Sequence, residues 1–429
     1  MREPLVILGA GVAGLGAAYH LDGEAPVYEQ RPSVGGLCAH ACVEGFRFDV
    51  VPHVLHFRDE SLRGFIERLL EGQVRSYQRH AGIFSHGRIT RYPFQGHLFG
   101  LPEEVIETCL TGRLAAARCG GPDTTTFNTW IRSTFGDGIA THFLLPYNTK
   151  FWTLSPSELT CEWIDALVPV PTYEEMLRGA RCDDPAEYGY NVKFWYPTRG
   201  GLGAILDALV EQAPRLHVNK RLTRLDTSAR RLQFADGQSI EYDKLLWSIP
   251  LPELSALLDP FPVEVARALQ ALRWTSLTVV HLGVRGPAAV ALDWVYVPDE
   301  TVSFYRVGFP SRYAPDAAPE GCHIISAEIS HSPWRAIDQT TLVPRVIAEL
   351  RKLKLLRPDA EILTQVSLEL RYGYPIYDHQ YSSATTVIRD YLKQQGIVPL
   401  GRFGSWRYLS MEDTLLDGQR AAMQVTHVV

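Results

Sequence analysis

Three glycines near the start of the chain are spaced as in a loop that binds a dinucleotide. Gly9, Gly11 and Gly14 follow the apolar run Leu5–Leu8 and open an alanine-rich segment typical of a helix. The first glycine permits a tight turn, the second lets the backbone approach a pyrophosphate, and the third lets helix and strand pack closely. The helix N-terminus offers unbonded N–H groups to the phosphates. We therefore predict a pyrophosphate site at this loop.

A single acid follows at the distance that such a site requires. Glu29 lies 20 residues after Gly9, at the end of a second short apolar run. A carboxylate in this position can accept hydrogen bonds from both hydroxyls of a ribose. Strand, glycine turn, helix, strand and acid together predict a dinucleotide-binding unit, and the alternative is a glycine turn without a ligand.

Two further segments favour FAD over NAD. Arg31 and the Gly35-Gly36 pair come directly after Glu29, and they resemble the second phosphate-side loop of FAD proteins in the amine oxidase and protoporphyrinogen oxidase group. Near the C-terminus, Gly401-Arg402 and the helix after it resemble the segment that closes such a fold over the flavin. A helix start beside the flavin would stabilise negative charge on its reduced form. The predicted cofactor-binding residues are Gly9, Gly11, Gly14, Glu29, Gly35, Gly36 and Arg402.

The other reactive residue types form no second catalytic pattern. Seven cysteines are scattered and odd in number, which fits reduced thiols better than a disulfide framework. Cys38 and Cys42 lie four apart, but no further Cys or His pair follows at zinc-ligand spacing, so we predict no metal. No nucleophile with an accompanying base is recognisable, which leaves the chemistry to the cofactor.

Composition limits the class of protein. The chain has 429 residues, is 46% hydrophobic and 21% charged, and carries a net charge of −6. These values are typical of a globular protein of two or three domains, and the acidic balance argues against a nucleic-acid partner. The sequence shows neither a signal peptide nor an apolar run of about 20 residues. We therefore predict a cytoplasmic protein without a membrane partner.

Hydrophobic periodicity predicts the elements that position these residues. Apolar spacings of three and four predict helices over Leu101–Arg118 and Phe127–Phe143. Asp236-Gly237 predicts the turn of a hairpin spanning residues 232–240. Later runs predict an antiparallel sheet interrupted by one helix, Leu342–Lys354. The runs assigned to this sheet are Leu277–Val284, Trp294–Val297, Val302–Val307, His323–Ile329 and Ile362–Glu369. A strand over Ile397–Leu400 and a helix over Met411–Val425 end the chain.

The predicted fold class is α/β, with three domains. A doubly wound, Rossmann-like FAD-binding domain combines residues 1–75, 195–260 and 385–429. A helical domain covers residues 97–190, and an antiparallel sheet domain that holds the substrate combines residues 76–96 and 261–384. We expect the substrate cleft at the junction of the three, facing the flavin.

Over nearly its whole length the chain resembles the UDP-galactopyranose mutase family, and it resembles the eukaryotic-type branch more than the short bacterial one. Residues 92–95 (Tyr-Pro-Phe-Gln) are similar to the segment that receives the uracil, and residues 146–152 (Pro-Tyr-Asn-Thr-Lys-Phe-Trp) resemble the nucleotide-binding helix. Tyr296 and Arg306 keep the family's ten-residue step. The segment 372–376 resembles the tyrosine-bearing strand, and the segment 401–408 (Gly-Arg-Phe-Gly-Ser-Trp-Arg-Tyr) is the most specific match.

This resemblance implies the site residues. It implies catalytic roles for Arg306, Arg402 and His53. The residues that it implies for the substrate are Tyr92, Phe94, Gln95, Asn148, Trp152, Asn191, Trp294, Tyr296, Arg306, Tyr374 and Tyr408. The residue types suit a nucleotide sugar, because Arg306 and Arg402, both on predicted strands, can give charge-assisted bonds to a diphosphate, while tyrosine hydroxyls and amides add neutral donors and acceptors.

The resemblance also implies the reaction. It is a pyranose–furanose isomerisation of a nucleotide sugar, with UDP as the expected nucleotide and galactofuranose as the product type. Reduced FAD is the working form, its N5 acts as nucleophile on the anomeric carbon, and no net redox change occurs. A reductant such as NAD(P)H or a reductase is then required. His53 either transfers a proton or positions the flavin, and the oligomeric state, including a homo-oligomer, is left open.

Two departures from the family pattern affect this expectation. Val51-Pro52 stands where the family has Gly-Gly before the histidine, and proline fixes φ and removes an N–H, so a loop movement on flavin reduction is in doubt. Leu167 stands where the family has an arginine, 15 residues after Trp152. The sugar–diphosphate region has thereby lost a charge, so the substrate differs from UDP-galactose or activity is reduced.

Two other functions therefore stay open. A flavin oxidase or desaturase of the amine oxidase type would share the FAD loops but would need neither Arg306 nor the segment 92–95. An inactive nucleotide-sugar-binding protein would keep the fold without turnover, and only Pro52 and Leu167 support it.

Overall fold

The architecture consists of two large sheets, two small ones and a set of helices that cover them. The computed structural model describes residues 2–118, 120–164, 167–189, 191–259 and 262–426. The strands in chain order are β1 (Arg2–Leu8), β2 (Val27–Tyr28), β3 (His40–Val43), β4 (Phe46–Asp49), β5 (Val74–Gln78), β6 (Ala81–Ser85), β7 (Arg88–Arg91), β8 (Lys193–Pro197), β9 (Leu216–His217), β10 (Leu222–Asp226), β11 (Arg231–Phe234), β12 (Ser239–Trp247), β13 (Leu258–Asp259), β14 (Trp274–Arg285), β15 (Trp294–Tyr296), β16 (Arg306–Gly308), β17 (Cys322–His331), β18 (Ile362–Pro375) and β19 (Ile397–Pro399). The helices are α1 (Val12–Tyr19), α2 (Glu60–Leu69), α3 (Glu103–Ala117), α4 (Phe127–Ile139), α5 (Leu145–Trp152), α6 (Tyr173–Arg181), α7 (Gly203–Glu211), α8 (Leu254–Leu257), α9 (Val263–Ala271), α10 (Gln339–Lys352), α11 (Tyr381–Gln394), α12 (Gly401–Gly404) and α13 (Met411–Thr426).

The first sheet is parallel at its centre and carries the glycine loop. Its order is β13-β10-β11-β12-β1-β2-β9, and β19 pairs with the end of β12. β1 lies parallel to both β12 and β2, and α1 packs against α13. This is the doubly wound α/β arrangement predicted from the sequence. The predicted hairpin is also confirmed, because β11 and β12 pair antiparallel with Leu232 opposite Ile240.

The second sheet forms the opposite wall of the molecule, with the order β18-β14-β17-β16-β15-β6-β7. The prediction of an antiparallel sheet is wrong at one pair, because β15 and β6 run parallel, with Trp294 opposite Ala81. β6 belongs to a part of the chain about 200 residues earlier, so no hairpin fixes its direction relative to β15. The predicted strand Val302–Val307 is also shorter than expected. Only Arg306–Gly308 joins the sheet there, and residues 297–305 form the connection from β15 to β16.

The helical region lies between β7 and β8 in sequence. The predicted helices appear as α3 and α4, and a single π-helical turn, Ala140–Leu144, continues α4 into α5. A buried lysine joins α5 to the second sheet, since Lys150 Nζ donates hydrogen bonds to the carbonyl oxygens of Val297, Asp299 and Phe304 at 2.9, 2.7 and 2.6 Å. This contact holds the helix against the connection that leads into β16.

The end of the chain returns to the first sheet. α10, β19 and α13 appear where the pattern placed a helix, a strand and a helix, with bounds shifted by one to three residues. One assignment is wrong, because Arg402 lies on the one-turn helix α12 and not on a strand. Gly401, with φ +73, breaks the extended backbone after β19 and allows this turn. The residue limits of the three domains stay a prediction.

Three general features of the described residues bear on function. None of their helices combines the length and the apolar character that crossing a bilayer requires. Nor do they contain a cluster of three or more His, Cys, Asp or Glu side chains able to hold a metal ion. The cysteines that the structure describes are free thiols, and Cys119 lies outside the described residues.

Candidate active site

A cavity of about 1330 Å³ connects the glycine loop with the aromatic residues of the helical region. One end is lined by the loop after β1, by Glu29 and by Gly35-Gly36. The middle is lined by His53, Gly401 and Arg402, and the other end by residues of α5, β15 and β16. Its volume and the two chemically distinct groups of lining residues fit a cofactor and a second ligand bound side by side.

The three loop glycines have different neighbours. A Cβ added to Gly11 would meet nothing within 4 Å, because the residue faces the open cavity. A Cβ on Gly14 would overlap the carbonyl oxygen of Gly9, where α1 crosses β1. Gly11 therefore leaves space for a ligand, whereas Gly14 serves helix–strand packing and does not line the cavity. Gly9 lines the cavity with φ +94, in the left-handed region that favours glycine.

Glu29 and the Gly35-Gly36 pair lie against the glycine loop that follows β1. Glu29 accepts hydrogen bonds from the backbone N–H groups of Ala10 and Arg31 at 2.9 and 3.0 Å. Gly35 donates from its N–H to the carbonyl oxygen of Ala10 at 2.8 Å, so the two glycine loops touch. Further residues at this end were not predicted, because no spacing in the sequence marks them. They are Lys220, Arg221, Leu222, Thr223 and Ser248.

The histidine loop lies beside the middle of the cavity. Val51 is buried with Leu277 and Leu370, and Pro52 and His53 line the cavity. Burial, together with the positive charges of Arg402 and Arg306, lowers the pKa of His53 to about 3. The imidazole is therefore neutral near pH 7. A backbone hydrogen bond with Val51 acts on the pKa in the opposite direction but is the smaller effect.

The two predicted arginines differ in their partners. Arg306 donates from Nε and Nη2 to the carboxylate of Glu328 at 2.6 and 2.8 Å. Glu328 is fully buried and also accepts from the hydroxyl of Tyr305 at 2.8 Å. The guanidinium is thereby held in one orientation beside the cavity, and its charge is balanced. Sequence reasoning missed Glu328, although a lone carboxylate within the apolar run His323–Ile329 was a usable signal.

Arg402 has no carboxylate partner among the described residues. It donates from Nε and Nη2 to the carbonyl oxygen of Leu409 at 2.8 and 2.5 Å. Its guanidinium lies 5.6 Å from the ring centre of Tyr374 and 5.0 Å from that of Tyr408. These two tyrosines stack with their ring centres 5.8 Å apart. Arg402 therefore supplies a positive charge within an aromatic wall of the cavity.

Amides and aromatic rings line the far end. The predicted residues found on the cavity there are Tyr92, Gln95, Asn148, Asn191, Trp294 and Tyr296. Gln95 donates from Nε2 to the carbonyl oxygen of Pro169 at 2.7 Å, and its Oε1 has no partner among the described residues. Asn148 donates from Nδ2 to the carbonyl oxygen of Leu144 at 2.8 Å. Tyr147, which was not predicted, also lines this end.

Two predicted substrate residues lie behind the cavity wall. Phe94 is fully buried and stacks on Phe143, with ring centres 5.1 Å apart. Trp152 is fully buried as well, with its ring 4.8 Å from that of Trp163. Neither lines the cavity, so in this structure both support residues that do.

Four uncharged residues of the described chain near α5 line the cavity. They are Trp163, Leu167, Val168 and Pro169, with the charged Glu162 beside them. Leu167, which corresponds to the family's arginine, therefore adds an apolar surface to the lining.

Comparison with known proteins identifies the family. The model of the flavin containing amine oxidoreductases matches residues 12–426. The chain belongs to this family. Among solved structures, a reduced UDP-galactopyranose mutase covers 100% of this chain and 95% of its own, with a TM-score of 0.93 and 27% sequence identity. This confirms the resemblance inferred from the motifs.

Other members of the flavin containing amine oxidoreductase fold are more distant. A putrescine oxidase bound to putrescine has a TM-score of 0.67 at 15% identity, covering 99% of each chain, which shows the fold alone. The zeta-carotene-forming phytoene desaturase of Myxococcus xanthus is 25% identical over 394 residues, covering 74% of this chain and 70% of that protein. These relatives are named for different reactions, so the reaction of this chain has to be argued from the residues of its own site.

The residues present fit the flavin that the family implies, and both the family and the mutase structure point to FAD. The open space at Gly11 and the start of α1 suit a pyrophosphate, and Glu29 lies where a ribose would be bound. The starts of α12 and α13 border the middle of the cavity. They would place helix N-termini near the flavin ring system.

Proposed function

We propose that this protein is a flavin-dependent isomerase that interconverts the pyranose and furanose forms of a sugar bound to a pyrimidine nucleoside diphosphate. The observation that carries the proposal is the polar lining of the cavity beyond the cofactor loop, where Arg306, Arg402 and several tyrosines line it together with the carboxamides of Asn148 and Asn191. A small hydrophobic amine or a carotenoid would give these polar groups nothing to bind. The full-length likeness to a UDP-galactopyranose mutase supports the same reading.

The glycine loop, Glu29 and the Gly35-Gly36 pair would hold the flavin. When bound and reduced, FAD would supply a nucleophile, its N5, for the anomeric carbon of the sugar, without net redox change. The chain binds and orients the substrate. Arg306 and Arg402 stabilise the diphosphate as it leaves and returns, and the hydroxyls of the tyrosines add hydrogen bonds without further charge.

The neutral state of His53 limits the role that this residue can have in the reaction. A histidine with a pKa of about 3 carries no proton to donate as imidazolium near pH 7. We infer that His53 positions the flavin or the sugar rather than acting as a general acid. Pro52 and the buried Val51 hold this loop in place.

A turnover assay tests the proposal. The FAD-loaded enzyme is incubated without oxygen with a panel of UDP-, dTDP- and CDP-sugars, once oxidised and once reduced with dithionite, and the products are separated by chromatography. We expect an isomerised nucleotide sugar, with UDP as the expected nucleotide, only with the reduced enzyme. Isomer formation by oxidised enzyme, or no isomerisation of any sugar in the panel, would overturn the proposal.

The alternative function is an oxidase or desaturase, and one observation favours it. The side of the cavity formed by Trp163, Leu167 and Val168 is apolar, which suits a hydrophobic substrate. Such an enzyme would consume oxygen or another electron acceptor in step with product. Oxidised enzyme incubated with a panel of hydrophobic amines and unsaturated hydrocarbons, with oxygen uptake and flavin reduction followed together, separates the two reactions.

A further inference from the structure

A buried lysine ties a helix that borders the far end of the cavity to the second sheet. Lys150 lies on α5 and is 2% exposed. Its ammonium donates to three backbone carbonyl oxygens, those of Val297, Asp299 and Phe304. An ammonium has three N–H groups, so these contacts use all of its donors and leave none for a ligand. Lys150 is therefore not a substrate contact, although it belongs to the segment 146–152 that resembles the nucleotide-binding helix.

The three carbonyl groups belong to one short connection. Residues 297–305 lead from β15 to β16, and the N–H of Val297 closes the connection by donating to the carbonyl oxygen of Tyr305 at 2.8 Å. Carbonyl oxygens that converge on one point repel each other, and they are costly to bury without a donor. The shape of the connection therefore depends on the ammonium, and its position depends on α5.

Both ends of the connection lead to residues that line the cavity. Tyr296 ends β15, and Arg306 begins β16. α5 itself contributes Tyr147 and Asn148 to the lining. A ligand that contacts Arg306 and α5 at the same time thus bridges two elements whose spacing is set through Lys150.

Aromatic packing extends the same link to the ion pair of Arg306. The ring of Phe151, next to Lys150, lies 5.2 Å from the ring of Tyr305 and nearly perpendicular to it. The hydroxyl of Tyr305 donates to Glu328, the carboxylate that orients the Arg306 guanidinium. A shift of the connection relative to α5 would move Tyr305, and with it both partners of the ion pair.

We propose that Lys150 is a positioning residue for the substrate, which sets the distance between Arg306 and the α5 side of the cavity so that the nucleotide reaches both sets of contacts together. The proposal rests on the proposed function, since it requires a nucleoside diphosphate in the cavity. A residue that only stabilised the fold would change the free energy of unfolding and leave the affinity of the folded protein unchanged. Lys150 should change that affinity, and it should do so only while Arg306 is present.

A double-mutant cycle tests this dependence on Arg306. Lys150→Met is introduced into the wild type and into Arg306→Ala/Glu328→Gln, in which the ion pair is removed as a unit so that no buried carboxylate is left unpaired. Calorimetry measures the affinity of the FAD-loaded proteins for whichever of UDP, dTDP and CDP binds the wild type most tightly. Lys150→Met should weaken binding roughly tenfold or more in the wild type, because a charge-assisted hydrogen bond to the diphosphate is lost. Without the ion pair it should weaken binding by about twofold or less.

A control variant separates positioning from folding. Arg335→Met removes the hydrogen bond from Nη1 of Arg335 to the carbonyl oxygen of Thr149, the residue before Lys150, at 3.0 Å. It should lower the resistance of the protein to guanidinium and leave the nucleotide affinity within about twofold of the wild type.

Hydrogen exchange of the wild-type enzyme covers the case in which Lys150→Met does not fold. The N–H groups of residues 297–305 should already be protected without nucleotide, because the ammonium holds the connection closed. Added nucleotide should slow their exchange by about twofold or less. A connection that exchanges freely until nucleotide binds would be ordered by the ligand and not by Lys150.

The outcomes are distinct. The positioning role is overturned, with the proposed function left standing, if Lys150→Met leaves the affinity unchanged or weakens it equally with and without the ion pair. An equal loss of affinity in Arg335→Met, or free exchange of residues 297–305 in the nucleotide-free enzyme, has the same consequence. A wild type that binds none of the three nucleotides overturns the proposed function and this inference with it.

Discussion

The ion pair of Arg306 and Glu328 makes the predicted diphosphate contact testable without confusing binding with folding. Arg306→Ala alone leaves the fully buried Glu328 as an uncompensated charge. Breaking a buried pair in this way costs about 3–5 kcal/mol of folding free energy. A loss of UDP affinity in that variant would therefore have two explanations.

The matched comparison is Glu328→Gln against Arg306→Ala/Glu328→Gln. In the glutamine background no carboxylate is left unpaired, so the double variant should be more stable to guanidinium than Arg306→Ala. The two glutamine variants differ in the Arg306 side chain. In Glu328→Gln the guanidinium keeps an amide oxygen as an acceptor but loses its counter-charge, so unfolding in guanidinium must first show that this variant is folded before the UDP affinities are compared. If the Arg306 guanidinium binds a desolvated phosphate oxygen, its removal should weaken UDP binding by about 2–5 kcal/mol, which is roughly 30- to 4,000-fold.

Flavin fluorescence of the FAD-loaded variants measures that affinity, and FAD content should stay near the wild-type value because Arg306 lies at the substrate end. Equal UDP affinities in Glu328→Gln and the double variant would refute the diphosphate role. Most of the case for a nucleotide sugar would fall with it.

Three further predictions concern the cofactor loop, the lost charge and pH. Gly11→Val should purify without FAD and be as stable as wild-type protein stripped of FAD, because its side chain meets only the open cavity. Gly14→Ala should lower the melting temperature through its overlap with Gly9. Full FAD occupancy in Gly11→Val would contradict the loop assignment. Leu167→Arg should tighten UDP-galactose binding by roughly tenfold if the apolar lining around Leu167 lacks only a charge. Leu167→Met, the uncharged control, should leave the affinity unchanged. No gain in Leu167→Arg would mean that this part of the lining suits another ligand. Burial lowers the pKa of His281 and His53 to about 3 and that of His56 to about 4, so the unfolded chain takes up protons that the folded one does not. Stability should be fully present above pH 6.5 and be lost as the pH falls towards 4, by up to about 4 kcal/mol per pH unit. Guanidinium unfolding at pH 7 and pH 5 should show this, with about a third less change in His281→Gln, and an equal change would contradict it.

The local signals in the sequence predicted the first sheet and the cofactor end well. Gly9, Gly11 and Glu29 act within one strand–turn–helix–strand unit, so their spacing carries the geometry. The hairpin at Asp236-Gly237 is likewise a local feature. For the same reason the fold class followed from the order of elements.

Contacts between residues far apart in the chain could not be predicted from the sequence. Glu328 meets Arg306 only because β16 and β17 pair, and Arg79 meets Asn191 across 112 residues. The parallel pairing of β15 with β6 could not be predicted either, because these strands are also far apart in the chain. Phe94 and Trp152 carried the right motifs but lie in the core, because aromatic residues supply both core packing and ligand contacts and their type does not tell which.

The central claim is that the reduced enzyme breaks and remakes the bond between the anomeric carbon and the diphosphate. The direct measurement uses the UDP-sugar that binds most tightly, labelled with ¹⁸O in that bond, and follows the label by phosphorus NMR. The account predicts that dithionite-reduced enzyme moves the label into the non-bridging positions of the β-phosphate and that oxidised enzyme does not. A label that stays in the bridging position with reduced enzyme would contradict it.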